Sequence, residues 1–144
     1  VGIILSHDRE LSELNARHMG VAGPTDVLSF PLFPPDAFPP HPGEPPGRRE
    51  SLRGGEGGPR SGLPFVLPPG RRPHLGDVVV SVERAVEQAK GGRGGQTGNR
   101  RWEPVDELRL LVVHGILHLC GWDHAQAEEE AAMRALEAEI LAGR

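Results

Sequence analysis

His114 and His118 stand four residues apart within the apolar run Leu110 to Leu119. On a helix that spacing places both imidazoles on one face, about 6 Å apart along the axis. Such a pair makes a two-point grip on a metal ion, although two packed core histidines would show the same spacing. His124 favours the metal. On a continuing helix it would lie about 9 Å beyond His118 and be rotated by roughly 240°. Gly121 is the residue type that ends helices in the left-handed conformation and lets a chain fold back. Histidine at +4, glycine at +7 and histidine at +10 reproduce the zincin-type H-x-x-x-H-x-x-G-x-x-H ligand spacing. We therefore expect His114, His118 and His124 to share one metal ion per chain.

Three neutral imidazoles with an open fourth position suit Zn²⁺, and nickel or cobalt would also accept them. Cys120 is the remaining candidate for a fourth ligand. It lies two residues past His118, on another helix face, and buried packing is expected of it instead. Because each imidazole must be neutral to coordinate, occupancy should fall below about pH 6. Zinc peptidases of this pattern carry Glu directly after the first histidine as general base. Gly115 occupies that position here, which weighs against a peptidase.

The elements that must position these residues can be read from the rest of the chain. Val1 to Leu5 suggests a strand, and Ser6 or Asp8 a cap for a helix through about His18, with Leu11 and Leu14 inward. Thr25 to Phe30 suggests a second strand ended by Pro31, and Val78 to Val80 a buried third. Ser81 is an N-cap for a helix from Val82 to Lys90 ended by Gly91-Gly92, and Gly94 to Asn99 suggests a flexible link. Pro104 opens a helix through Leu119, with Asp106 and Glu107 where the macrodipole favours acids. A last helix runs from about Gln126 to Leu141. Met133, Leu136 and Ile140 should face inward on it, and Glu128, Glu129, Glu130, Glu137 and Glu139 mostly face solvent.

Of the fifteen prolines in the 144 residues, thirteen fall between Pro31 and Pro73, together with eight glycines. That segment lacks periodicity and suggests an extended or disordered, solvated surface insertion. Outside it the sequence has the make-up of one small globular domain. No apolar run approaches the roughly 18 residues of a membrane span, and no basic stretch with a cleavage site is seen at the start, so secretion is not expected. A single cysteine fits a reducing compartment such as the cytoplasm. The net charge of −4 is not that of an obvious nucleic-acid binder. Arg93, Arg100, Arg101 and the insertion arginines (48, 49, 53, 60, 71 and 72) would supply a local basic rim.

Three blocks together resemble the YbeY family of zinc-dependent rRNA-maturation endoribonucleases. They are Leu14-Asn15 followed by Pro24-Thr25-Asp26-Val27-Leu28-Ser29-Phe30-Pro31; Leu75-Gly76-Asp77; and His114 through His124. The resemblance implies a single α+β domain, a small mixed sheet packed against helices, with a zincin-like metal site at the floor of a cleft. It implies His114, His118 and His124 as Zn²⁺ ligands. It also implies single-strand cleavage in 3′-end maturation of small-subunit (16S) rRNA, a role in ribosome quality control, and rRNA with the small ribosomal subunit as partners. Neither DNA nor a membrane is implied.

The chain differs from the family pattern in three respects. The family's Arg four residues after that Asn, implied to face the substrate cleft, is Met19 here, with Arg17 nearby; the family's Asp three residues further is Ala22. The family's strand and helix ahead of the Val1–Leu5 equivalent are expected to be lacking. The 31–73 insertion is longer than usual. No general base is assigned. Asp77 and Asp123 are candidates, with loop orientation and a hydrogen bond to a ligand histidine as their alternatives; Trp122 is expected to pack beside the site rather than stack on a base. Two other functions stay open, a non-catalytic ribosome-assembly factor with a structural zinc, and a zinc metallopeptidase.

Overall fold

The computed structural model describes residues 1–21, 23, 25–53, 68–91 and 101–143. Its elements are β1 (Gly2–Ser6), α1 (Asp8–His18), β2 (Val27–Pro31), a 3₁₀ turn (Pro35–Ala37), α2 (Arg48–Arg53), β3 (Gly76–Ser81), α3 (Val82–Gly91), α4 (Pro104–Leu119) and α5 (Ala127–Ala142). The expectations at Ala22, Pro24, Arg60, Gly92, Arg93, Gly94 to Asn99 and Arg100, and at the side chain of Arg53, lie outside the described residues. Among the described residues no helix is long and apolar enough to cross a membrane.

The three strands form one mixed sheet in the order β1-β3-β2. β3 runs parallel to β1, pairing Ile4 with Val79, and antiparallel to β2, pairing Leu28 with Val79. Pro31 closes β2 at the sheet's edge, where its missing N–H costs no ladder bond. The period-two alternation of a strand then sends the three valines of β3 to opposite faces. Val78 and Val80 pack with Ala85, Leu111 and Leu119, while Val79 packs with Leu11 and Leu28, with Leu14 and Phe30 around them. The sheet thus separates α1 from α4, and α4 lies on its inner face as the element carrying two of the histidines. This is the α+β arrangement expected from the resemblance.

Three local expectations are corrected. α1 is capped by neither Ser6 nor Asp8 but by His7, whose Nδ1 accepts from the Glu10 N–H at 3.3 Å. Ser6 is held in the strand by its pairing with Ser81, and the Asp8 carboxylate accepts from Ser81 Oγ (2.5 Å) and Arg84 Nε (3.0 Å). On α5 the inward stripe is Glu129, Met133 and Glu137, each four residues from the next, and Ile140 in the last turn is exposed. Two of the acids expected in solvent are therefore buried. Partners make that tolerable: Arg48 and His41 for Glu129, and His114 for Glu137.

Those partners expose the third correction. The 31–73 insertion is not solvated throughout. His41 and Arg48 bond Glu129, and Arg49 bridges Glu44 and the Phe38 carbonyl (2.7 Å), so part of residues 32–53 is folded onto the start of α5. Ion pairs order this segment where apolar periodicity is lacking. Arg71 and Arg72 are exposed, as expected.

Burial alone would raise the Glu129 carboxyl, but hydrogen bonds from Arg48, His41 and the Asp123 amide outweigh it and hold it below its ordinary 4.5. A carboxyl held low by the fold contributes stability that is complete above its unfolded value and lost as pH falls through its folded value. In urea unfolding, the advantage of the native chain over Glu129→Gln is expected to be full at neutral pH and to shrink below about pH 4.5. An advantage that stays constant down to complete protonation would contradict this assignment.

Candidate metal centre

α4 begins as its sequence dictates. Pro104 occupies the first turn, and Glu103 and Asp106 exchange side-chain and backbone hydrogen bonds in a capping box. Its acids are more than dipole partners, since Asp106 and Glu107 are buried and Glu107 accepts from Trp102 Nε1 at 2.6 Å. The helix ends in a Schellman turn: Trp122 N–H reaches the Leu117 carbonyl and Gly121 N–H the His118 carbonyl, both at 3.1 Å. Gly121 has φ +88°, the left-handed conformation that turns the chain back.

The reversal brings the third histidine to the first two. One ligand nitrogen from each of His114, His118 and His124 lies within 4.8 Å of the others. Ring centroids are separated by 4.6 Å for 114–118, 5.1 Å for 118–124 and 5.6 Å for 114–124. His114 and His118 are half-buried and His124 is exposed, so the cluster opens on the His124 side.

The tautomers follow from the outer partners. His118 Nδ1 faces the Trp122 carbonyl at 2.9 Å, and a carbonyl only accepts, so Nδ1 carries the hydrogen. His114 Nδ1 faces Glu137 Oε1 at 2.7 Å and donates to that carboxylate. Both Nε2 lone pairs therefore point inward, at a separation of 3.0 Å. Two lone pairs so close repel unless a cation lies between them. Two imidazole nitrogens on one tetrahedral zinc would stand about 3.3 Å apart. Burial first, and then His114, hold His118 below the ordinary 6.5, which favours the neutral ring that coordination needs. Donor set, tautomers and spacing fit a divalent metal, and the triad could hold one.

The model of the family described as endoribonuclease YbeY matches residues 1–143. The chain is similar to the endoribonuclease YbeY of Symbiobacterium thermophilum, 38% identical over 99% of this chain and 70% of that protein. It is likewise similar to those of Roseiflexus sp. (38%, covering 98% and 68%) and Thermobifida fusca (35%, covering 99% and 70%). The chain belongs to the YbeY family. Its enzyme class is accordingly that of an endoribonuclease, a hydrolase of phosphodiester bonds.

Packing accounts for glycine at position 115. A Cβ there would stand 2.5 Å from Val78 Cγ1 and 3.2 Å from Ser29 Oγ, and Ser29 donates to the Gly115 carbonyl at 2.9 Å. The position that carries a peptidase's general base points into the sheet here, with no room for a methyl group. In this YbeY member Cys120 sits at the helix's C-cap, and burial raises its thiol, which suits packing rather than coordination.

The other candidates are dispersed. Asp77 pairs with His74 at 2.9 Å and does not join the triad. Asp123 Oδ1 accepts the backbone N–H of His124 (2.7 Å), so it supports the third histidine through the main chain and not through the imidazole. Trp122 stacks on His41, with centroids 4.1 Å apart, and is a packed aromatic. Met19 is the exposed C-cap of α1, and Arg17 is exposed as well. Of the proposed basic rim, Arg101 pairs with Glu103, Arg48 with Glu129 and Arg49 with Glu44.

Glu137 was not legible as part of the site, although its place on the Met133 stripe could have marked it. A carboxylate on the outer nitrogen of a ligand histidine fixes the ring and raises its basicity. Glu137→Ala is expected to weaken zinc affinity roughly 10–100-fold while leaving one metal bound at saturation. Chelator competition measures this, and an unchanged affinity would contradict the role.

Proposed function

We propose that this chain is a single-strand-specific, metal-dependent endoribonuclease acting in 3′-end maturation of small-subunit (16S) rRNA and in ribosome quality control. Its partners are rRNA and the small ribosomal subunit. His114, His118 and His124 hold one Zn²⁺ per chain, and the enzyme works in the cytoplasm, consistent with its single cysteine. The observation that carries the reading is the convergence of three histidine nitrogens in a member of an endoribonuclease family.

When bound, the divalent ion supplies Lewis-acid stabilisation of charge on a phosphodiester and activation of a hydroxyl nucleophile. The chain's own residues provide the setting. Glu137 and the Trp122 carbonyl hold the His114 and His118 rings with Nε2 inward. The exposed His124 leaves one side open to a polymer, and a single strand bends to reach such a partly sunken site more readily than a duplex.

Incubating rRNA precursors with the native protein and with His114→Ala tests the reading. Cleavage by the native protein alone is expected; cleavage that survives the substitution would overturn it. A second reading, a non-catalytic assembly factor with a structural metal, is favoured by Met19 in place of the family's Arg. It predicts no cleavage by the native chain and a gain on Met19→Arg. The peptidase alternative fails at Gly115.

A further inference from the structure

Glu129 takes four hydrogen bonds, and its side chain is fully buried. Arg48 grips it with both terminal nitrogens, Nη1 on Oε1 and Nη2 on Oε2 at 2.8 Å. His41 Nε2 lies 2.6 Å from Oε1. The fourth bond matters most for the metal centre: the backbone N–H of Asp123 donates to Oε1 at 3.1 Å. Asp123 in turn accepts the His124 N–H on Oδ1 and faces Arg48 Nη2 on Oδ2 at 3.5 Å. Trp122 lies stacked on His41 while its carbonyl holds the His118 ring. Gly43 brings the insertion so near α5 that a Cβ would stand 2.6 Å from Glu129 Cα.

The three histidines are not supported alike. The rings of His114 and His118 each have a hydrogen-bond partner on the outer nitrogen. Among the described residues no hydrogen bond to the His124 ring is found, and His124 is exposed. Its position is set by the backbone of residues 122–124. That backbone is tied to Glu129, and Glu129 is held by Arg48 and His41, 81 and 88 residues away in the chain.

We propose that the Arg48–Glu129 ion pair, completed by His41, is a positioning device that holds the 122–124 backbone so that His124 can close the metal site. The inference rests on the three-histidine reading of the metal centre. It gives the first part of the insertion a role in that centre. Without Arg48, Glu129 is left as a buried charge with too few donors, and it either takes up a proton or turns toward water. Either change weakens its hold on the Asp123 N–H, and His124 must then be ordered by the metal itself.

The test uses the full chain, Zn²⁺ affinity by competition with a chromophoric chelator, and the visible absorption of the Co²⁺-loaded protein. Arg48→Ala is expected to weaken Zn²⁺ affinity roughly 10–100-fold, the range for loss of an outer partner of a metal site. It should also reduce the intensity of the Co²⁺ bands, and Arg48→Lys should recover part of both. In a His124→Ala background, Arg48→Ala should add less than about threefold, because the ligand it positions is gone. An equal loss in that background would show general destabilisation and overturn the proposal, as would an unchanged affinity. If Arg48→Ala does not fold, Arg48→Lys is read in its place, with roughly a three- to tenfold loss supporting the proposal and none overturning it. A native chain that binds neither ion would overturn the three-histidine reading itself. Native binding with an indifferent Arg48 would overturn only this inference.

Discussion

His118→Ala is expected to weaken metal affinity by more than about 100-fold, beyond the 10–100-fold range typical of outer partners, and to reduce RNA cleavage to background. His118 is the middle member of the cluster. Its Nε2 stands 3.0 Å from that of His114, and its ring centroid is the nearer of the two to His124. Its outer nitrogen is also the tie between α4 and the Trp122 carbonyl. Alanine removes one of three donors and the tie together. The helix itself should survive, because Leu111, Leu117 and Leu119 carry its burial and alanine is a good helix former. Zinc titration, RNA cleavage and circular dichroism on the same preparation separate these effects. A folded variant that keeps native affinity would remove His118 from the ligand set.

The second large effect is expected at Gly115. Gly115→Ala replaces a helical glycine, a change that returns about 1 kcal/mol in an exposed helix. Here the new methyl meets Val78 Cγ1 at 2.5 Å, on a β-branched side chain fixed in the fully buried centre of the sheet. Overpacking of that kind costs about 1–3 kcal/mol, so the net change should be a loss. Gly115→Glu adds an unpaired buried carboxylate to the clash and is expected to prevent stable folding. It should confer no casein hydrolysis under any condition. Chemical unfolding of the alanine variant and a soluble-yield comparison for the glutamate variant measure the two outcomes. A stable Gly115→Glu protein with peptidase activity would reverse the reading of the α4–sheet contact.

The part of the centre that depends on local geometry was legible. His114 and His118 follow from helical spacing, and Gly121 announces the turn that returns His124; the bounds Pro104 to Leu119 for α4 follow from a proline at one end and that glycine at the other. The three valines of β3 likewise declared a buried strand. What stayed hidden depends on partners remote in sequence. Nothing local separates Glu129 and Glu137 from the other acids of α5, apart from their four-residue spacing about Met133. Their burial follows from His41, Arg48 and His114, which arrive from elsewhere in the fold. The same holds for the insertion. A proline-rich stretch without apolar periodicity gives no sign that two of its arginines and a histidine are committed to buried or nearly buried carboxylates. His7 took the cap of α1 because its neighbours Ser6 and Asp8 were engaged by β3 and α3, a competition visible only once the strands are paired.

Elemental analysis of the purified native chain, read as metal per polypeptide after dialysis at neutral pH, addresses the central claim most directly. One equivalent of a divalent transition metal, with zinc foremost, is the expected value, falling to well under one for His118→Ala treated identically. A native chain that retains no metal even after exposure to excess zinc, or one that retains a full equivalent without His118, would contradict the assignment.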